Sequence, residues 1–305
     1  MLTLQSEDTH ARVRKSNIET LPTDISLVEN SDYILSIVPP RDALATATRI
    51  ATAFNAQSKT TPLYYLDLNA ISPRSAREIG NLFHTSTPAI KYIDGGIIGG
   101  PPSPKAAEEP QNTLSNHVDT PHTWKRPSIP VSGPHNIADS PTSGKHLFST
   151  LNLNHISPEI GQASGLKCCF ASLTKGFTAL AIQSFTTASN LGVLDLLLQE
   201  TEGRIPSLWK AAHQGMTGMP PKAYRWVREM EEIAITHADE GGFEGGEGKG
   251  AGVYGQIAKV YKSVAEDTVL GEEKTERRKR GRTLEDVAMA MGEGLRAKRR
   301  KLDGQ

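Results

Sequence analysis

Three short apolar runs with helix-like spacers between them constrain this chain more than anything else in it. The runs are Tyr33–Val38, Leu63–Asn69 and Ile90–Gly100, and the spacers are Ala43–Ala56 and Pro73–Leu82. A parallel strand pair needs a connection of roughly a dozen residues or more, which a helix supplies. Strand, helix, strand, helix, strand at this spacing therefore predicts a parallel sheet with helical crossovers. Pro39 and Pro40 end the first run, since neither can donate to a ladder. Asp42 is placed to cap the next helix, and Pro73 to open the second. Ligands of such sheets bind beyond the carboxyl ends of the strands. That rule puts Val38, Pro39 and Pro40, then Asn69 to Ser72, then Gly99 and Gly100 along one edge.

The second half reads as helical. Gly161–Glu200 has apolar residues at intervals of three and four and predicts one long helix, buried on more than one side. Two lysines, Lys167 and Lys175, lie within it. A lysine in a buried helix is costly unless an anion meets it. Either both snorkel to the surface, or Lys167 faces a ligand cleft. Further helices are expected at Ser207–Gln214, Lys222–Asp239 and Val253–Val264, with a glycine-rich loop at 241–252. Between the halves, 101–125 reads as a disordered surface insertion. Ser128–Gly133 reads as a short strand that pairs near His146–Leu153. Beyond Thr268 the chain is highly charged and reads as a largely solvated tail, with Leu284, Val287, Ala288 and Met291 as an amphipathic turn or two. Its basic clusters, around Arg277–Arg282 and Lys298–Lys301, are either a nuclear-import address or a solvated face.

Composition narrows the function classes. The 305 residues allow two domains, and 34 basic residues balance 34 acidic ones, so net charge points to neither nucleic acid nor a membrane surface. The two cysteines, Cys168 and Cys169, are adjacent on a helix and point apart. This implies a reduced protein in the cytoplasm, without the spaced partners a zinc site needs. No apolar run of membrane-spanning length is present.

Four segments carry a family resemblance: DYILSIVPP from Asp32, YLDLNAISP from Tyr65, YIDGGIIGG from Tyr92 and IGQASGLK from Ile160. In this order they resemble the 6-phosphogluconate dehydrogenase and 3-hydroxyisobutyrate dehydrogenase superfamily of NAD(P)-dependent β-hydroxyacid dehydrogenases. The helical half, with TKG at 174–176 and MPPKAYRWVREMEEIA from Met219, resembles the subgroup with a DUF1932-type carboxyl-terminal domain. The resemblance implies an incomplete Rossmann-like parallel sheet over 1–154, an all-helical domain over 155–267 that resembles the 6-phosphogluconate dehydrogenase carboxyl-terminal domain, and a charged tail over 268–305. It implies hydride transfer between NADP or NAD and a small hydroxyacid, with Lys167 as general acid/base. Gly99 and Gly100 would bind substrate, and Ser6, Val38, Pro39, Pro40 and Asn69 the cofactor. Lys175, two helical turns on from Lys167, either binds a substrate anion or forms a salt bridge with a neighbouring helix. A homodimer through the helical half is implied in the same way.

The chain departs from the family pattern at several points. No G-x-G-x-x-G precedes Asp32, so the chain looks truncated at its start relative to the family, and a pyrophosphate would lose its main amides. Gln5 precedes Ser6 where the subgroup has arginine, Ile98 replaces a substrate-binding serine, and Ala171 stands where an asparagine is expected. The last two imply a substrate other than hydroxyisobutyrate. The rival reading is a non-catalytic remnant that acts as a helical dimerisation or interaction protein.

Overall fold

The computed structural model describes residues 7–57, 59, 61–104, 124–243 and 252–304. Ser6, most of the 101–125 insertion and most of the 241–252 loop lie outside the described residues. The chain divides into two units. The sheet unit runs to Val38 and takes in Asp42–Asn69 and Ser75–Leu166. The helical unit comprises Lys167 onward together with Pro39–Arg41 and Ala70–Arg74.

The sheet unit opens with helices α1 (Glu7–Lys15) and α2 (Asp24–Glu29). Strands β1 (Tyr33–Ser36), β2 (Leu63–Asp67) and β3 (Ile90–Gly95) are parallel and adjacent, joined by helices α3 (Ala43–Asn55) and α4 (Pro73–Ser86). All five residues of β2 are buried, as expected of a central parallel strand covered on both faces. Tyr65, Phe83 and Tyr92 stack in one aromatic layer, with Tyr65 and Phe83 at 4.8 Å between ring centroids.

Beyond β3 the expected parallel pattern changes. A two-residue pair, β4 (Ser103–Pro104) with β5 (Trp124–Lys125), joins the ends of the insertion. Strand β6 (Ile129–Ser132) runs antiparallel to β3, and β7 (Leu153–Ser157) parallel to β6, so the sheet order is β1-β2-β3-β6-β7. The partner of β6 thus starts later than the sequence suggests: His146–Thr150 belong to helix α5 (Gly144–Thr150). Its apolar residues Leu147 and Phe148 pack on the sheet from a helix and not from a strand.

The helical unit is built on α6 (Gln162–Leu191), which starts in the sheet unit and continues through Lys167. The single helix expected over 161–200 is two. Gly192 adopts φ +73°, and α7 (Leu194–Arg204) follows. Only glycine takes that conformation without steric cost. Helices α8 (Pro206–Gly218), α9 (Ala223–Asp239), α10 (Gly252–Asp267) and α11 (Leu284–Asp303) complete the unit. One core holds Cys168, Ala179, Ile182 and Phe185 of α6 with Met216, Met230, Ile233, Tyr261 and Val264.

Helix α11 corrects the solvated tail. Leu284, Val287, Ala288 and Met291 are at most 2% exposed and belong to that core. The charged segment before it is held in place as well. Glu273 accepts the backbone N–H groups of Lys279 and Arg280, the Arg280 guanidinium pairs with Asp286 at 2.7 Å, and Arg278 donates to the Thr217 carbonyl at 2.6 Å. The charges masked a stripe at i, i+3, i+4 and i+7, the spacing of a buried helix face. Among the described residues no helix is long and apolar enough to cross a membrane.

Candidate active site

The carboxyl ends of the first strands carry a row of polar side chains. Register places Ser36 beside Asp67, Asp67 beside Asp94 and Asp94 beside Ser132. All four are at most 3% exposed. Asn69 ties the ends of β1 and β2 together. Its carbonyl accepts the Val38 N–H at 2.7 Å, its amide donates to the Ser36 hydroxyl at 3.0 Å, and its own N–H donates to Asp67 Oδ1 at 2.9 Å. Asp67 Oδ2, Tyr65 OH and Tyr92 OH have no hydrogen-bond partner among the described residues. Burial is the main reason the Asp67 carboxyl is pushed up to about 7. A neutral acid relieves the cost of an unpaired buried charge.

Asp94 has a different task. It accepts from the Ser132 hydroxyl at 2.8 Å, the Gly161 N–H at 3.0 Å, the Ser164 N–H at 3.2 Å and the Ser164 hydroxyl. Ser132 in turn accepts the Ala163 N–H at 3.0 Å. A helix leaves its first N–H groups without intrahelical partners. Here a carboxylate and a hydroxyl from adjacent strands satisfy them at the start of α6, and the negative charge suits the positive end of the helix. Lys167 stands three residues beyond Ser164 on that helix. Burial lowers the Asp94 affinity for ionisation and raises its pKa, while these donors oppose the rise.

In the helical unit Lys167 is partly buried, and burial chiefly, with Arg225 adding to it, holds its pKa below the ordinary lysine value. Just beyond it, the Cys168 thiol donates to the Ile71 carbonyl at 3.3 Å, and burial pushes that thiol up to about 12. Glu232, 1% exposed, accepts the Ser72 N–H at 2.9 Å and pairs with Arg228 at 2.5 Å. These bonds fix Ala70–Arg74 to the helical unit. Lys175 forms a buried ion pair with Glu229, and its ammonium lies 4.9 Å from the centre of the Trp226 ring.

The structure therefore brings the sequence candidates together in groups. Val38 and Asn69 are bonded to each other in the sheet unit. Gly99 and Gly100 line a cavity of about 360 Å³ there, with Ile97, Pro101, Arg126 and Leu151. Gly99 sits at φ +123°, and a side chain at Gly100 would meet open space. Pro39 and Pro40 cluster with the helical unit, as do Lys167 and Lys175. Sequence reasoning missed Asp94, Ser132, Glu229 and Arg225. Asp94 had a signal, an aspartate before a glycine pair at a strand end. The salt-bridge reading of Lys175 is the one the structure shows, but sequence could not name Glu229 as its partner, 54 positions away on another helix.

The described strand–helix junctions do not fit the pyrophosphate of a dinucleotide. That group needs free backbone N–H groups at a glycine turn. After β1, the Val38 N–H is engaged by Asn69 and two prolines follow. After β2, the Ser72 N–H is engaged by Glu232 and Pro73 follows.

Comparison with known proteins bears on the same geometry. Residues 188–264 match the domain of unknown function DUF1932. An uncharacterised 28.5 kDa protein of Methanothermus fervidus, encoded in a 7S RNA 5′ region, is 24% identical over 237 residues, covering 76% of this chain and 80% of its own. Among solved structures, a conserved hypothetical protein of Sinorhizobium meliloti 1021 matches at a TM-score of 0.55 and 18% identity, over 96% of this chain and 85% of that one. A 3-hydroxyisobutyrate dehydrogenase of Salmonella typhimurium matches at 0.53 and 14% identity, over 93% and 88%. The chain thus shares the fold of the solved 3-hydroxyisobutyrate dehydrogenase, Rossmann-like in its sheet unit, and carries a match to DUF1932 within its helical unit.

Proposed function

We propose that the chain is an oxidoreductase of the β-hydroxyacid dehydrogenase type, in which Lys167 moves the proton at the hydroxyl of a small hydroxyacid. The observation that carries this reading is the setting of Lys167. It is a partly buried amine with a lowered pKa, on a helix whose first turn is fixed by Asp94 and Ser132. Burial lowers the cost of losing the lysine proton, which suits an amine that takes and returns one. NADP or NAD supplies the hydride chemistry when bound. The described junctions do not furnish the amides for its pyrophosphate, so the reading requires those amides from elsewhere.

The test is to titrate the purified chain with NADPH and NADH by nucleotide fluorescence, then screen small hydroxyacids for turnover. The reading predicts saturable binding, and turnover that Lys167→Met lowers by about 100-fold or more. A folded chain that binds neither nucleotide at millimolar concentration contradicts it.

A second reading has its own observation. Phe170, Leu173, Leu180 and Leu191 lie at 44%, 73%, 55% and 71% exposure on α6. With the half-buried Phe177 the first three follow the alternating three-and-four spacing of a helix–helix seam, and Leu191 lies eleven residues beyond Leu180. Such a face favours an interaction protein that pairs through α6, catalytic or not, and a second copy of the chain is the proposed occupant.

A further inference from the structure

Inside the sheet unit, three neighbouring polar atoms are buried on one face of the sheet without a protein partner. Side chains alternate between the faces of a strand, so Tyr65 and Asp67 of β2 share a face, as do Tyr92 and Asp94 of β3. The register sets Tyr65 beside Tyr92 and Asp67 beside Asp94. The rings agree with it: their centroids are 6.4 Å apart and their planes 24° from parallel. Phe83 of α4 packs against both, at 4.8 and 5.9 Å. Tyr65 and Asp67 are fully buried, and Tyr92 is 4% exposed.

Asp94 has its donors, from Ser132, Gly161 and Ser164. Tyr65 OH, Tyr92 OH and Asp67 Oδ2 bond to no described residue. Asp67 opposes the ionisation of both tyrosines, and Tyr65 that of Tyr92, as groups facing one another do. Ser36, already bonded to Asn69, borders Tyr65 from β1. A buried phenol that gives its hydrogen to nothing is costly, and here two stand next to a half-satisfied carboxyl. A direct bond would bring their oxygens to about 2.7 Å. The strands hold the side chains wider than that, since adjacent strands lie about 4.8 Å apart and these rings wider still.

We propose that Tyr65, Asp67 and Tyr92 form an internal binding site for a single water molecule, which joins β2 to β3 through their side chains. A buried water makes about three hydrogen bonds to groups that otherwise lack them, the number on offer here. It accepts from both tyrosine hydroxyls and donates to Asp67 Oδ2. When Asp67 is protonated, the carboxyl donates to the water and one hydroxyl turns to accept from it, so the same molecule serves either state. A metal cation does not fit, because it cannot accept the two phenol hydrogens. The site lies wholly within the sheet unit and does not rest on the hydride-transfer reading.

The experiment is a crystal structure of the full chain at a resolution that shows ordered water, with urea denaturation of Tyr65→Phe, Tyr92→Phe and the double variant. The site predicts an isolated density peak within hydrogen-bond distance of Tyr65 OH, Tyr92 OH and Asp67 Oδ2. The peak remains in each single variant and is lost in the double one. Each single variant lowers the folding equilibrium constant by about tenfold, because it takes a bond from the water. Phenols without a partner predict the opposite sign, since phenylalanine would remove a buried donor that bonds to nothing. No peak in the wild type, a peak that vanishes when sodium is replaced by choline, or single variants as stable as the wild type overturn the proposal. Where a variant fails to fold, the wild-type density, with and without sodium, decides alone.

Discussion

At the scale of single residues, two aspartates side by side on the sheet perform opposite duties. Asp94 is surrounded by donors and holds the first turn of α6. Asp67 accepts from Asn69 on one oxygen and has no partner for the other. Asp94→Asn keeps the shape but puts two donors among donors. It should cost about 2 kcal/mol in chemical denaturation and raise amide exchange at Gly161–Ser164; unchanged exchange there would remove the capping role. Asp67 makes a pH prediction. Its folded pKa of about 7 lies above the ordinary 3.8. Its contribution is therefore fully present below the ordinary value and is lost as pH rises toward 7. Stability should fall by something on the order of 3 kcal/mol over that window, and Asp67→Asn should flatten the profile. A wild-type profile that rises through the window would contradict this.

At the scale of elements, helix α11 shows what patterning conceals. Its apolar residues are spaced for burial, yet the flanking runs of arginine and lysine suggested solvent. The structure resolves the conflict because those arginines find carboxylates and carbonyls within the unit. Leu284→Ala should cost about 2–5 kcal/mol, the range for a buried large-to-small change. A solvated tail would lose less than about 0.5 kcal/mol, so urea denaturation separates the two. The ion pair between α6 and α9 makes a sharper case. Glu229→Gln leaves Lys175 buried without its carboxylate, and breaking such a pair costs about 3–5 kcal/mol. The sign of Gly192 was equally hidden. Glycine within an apolar helical run can be tolerated or can end it, and its φ of +73° shows which applies here.

At the scale of the whole molecule, local signals and distant ones were legible to different degrees. The first three strands and their crossover helices were readable because period and proline agree over short spans, although Asp42 stands at the start of α3 without the side-chain cap bond expected of it. The antiparallel turn into β6 was not, since strand direction depends on partners that the 33 positions between β3 and β6 do not encode locally. The site divides in the same way. Lys167 could be named from its segment, whereas the carboxylate of Asp94 and the hydroxyl of Ser132 at the start of its helix meet it only when distant segments come together. The exposed seam of α6 predicts a dimer in sedimentation, which Leu173→Glu with Leu180→Glu should reduce to a monomer of unchanged helicity. A wild-type monomer at tens of micromolar would count against pairing. The account as a whole depends on the state of one amine. The most direct measurement is the titration of the Lys167 side chain by NMR of lysine-labelled protein, assigned by its loss in Lys167→Met. The account predicts a pKa below the roughly 10.4 of free lysine, the direction that burial gives it. A Lys167 that titrates as free lysine would contradict it.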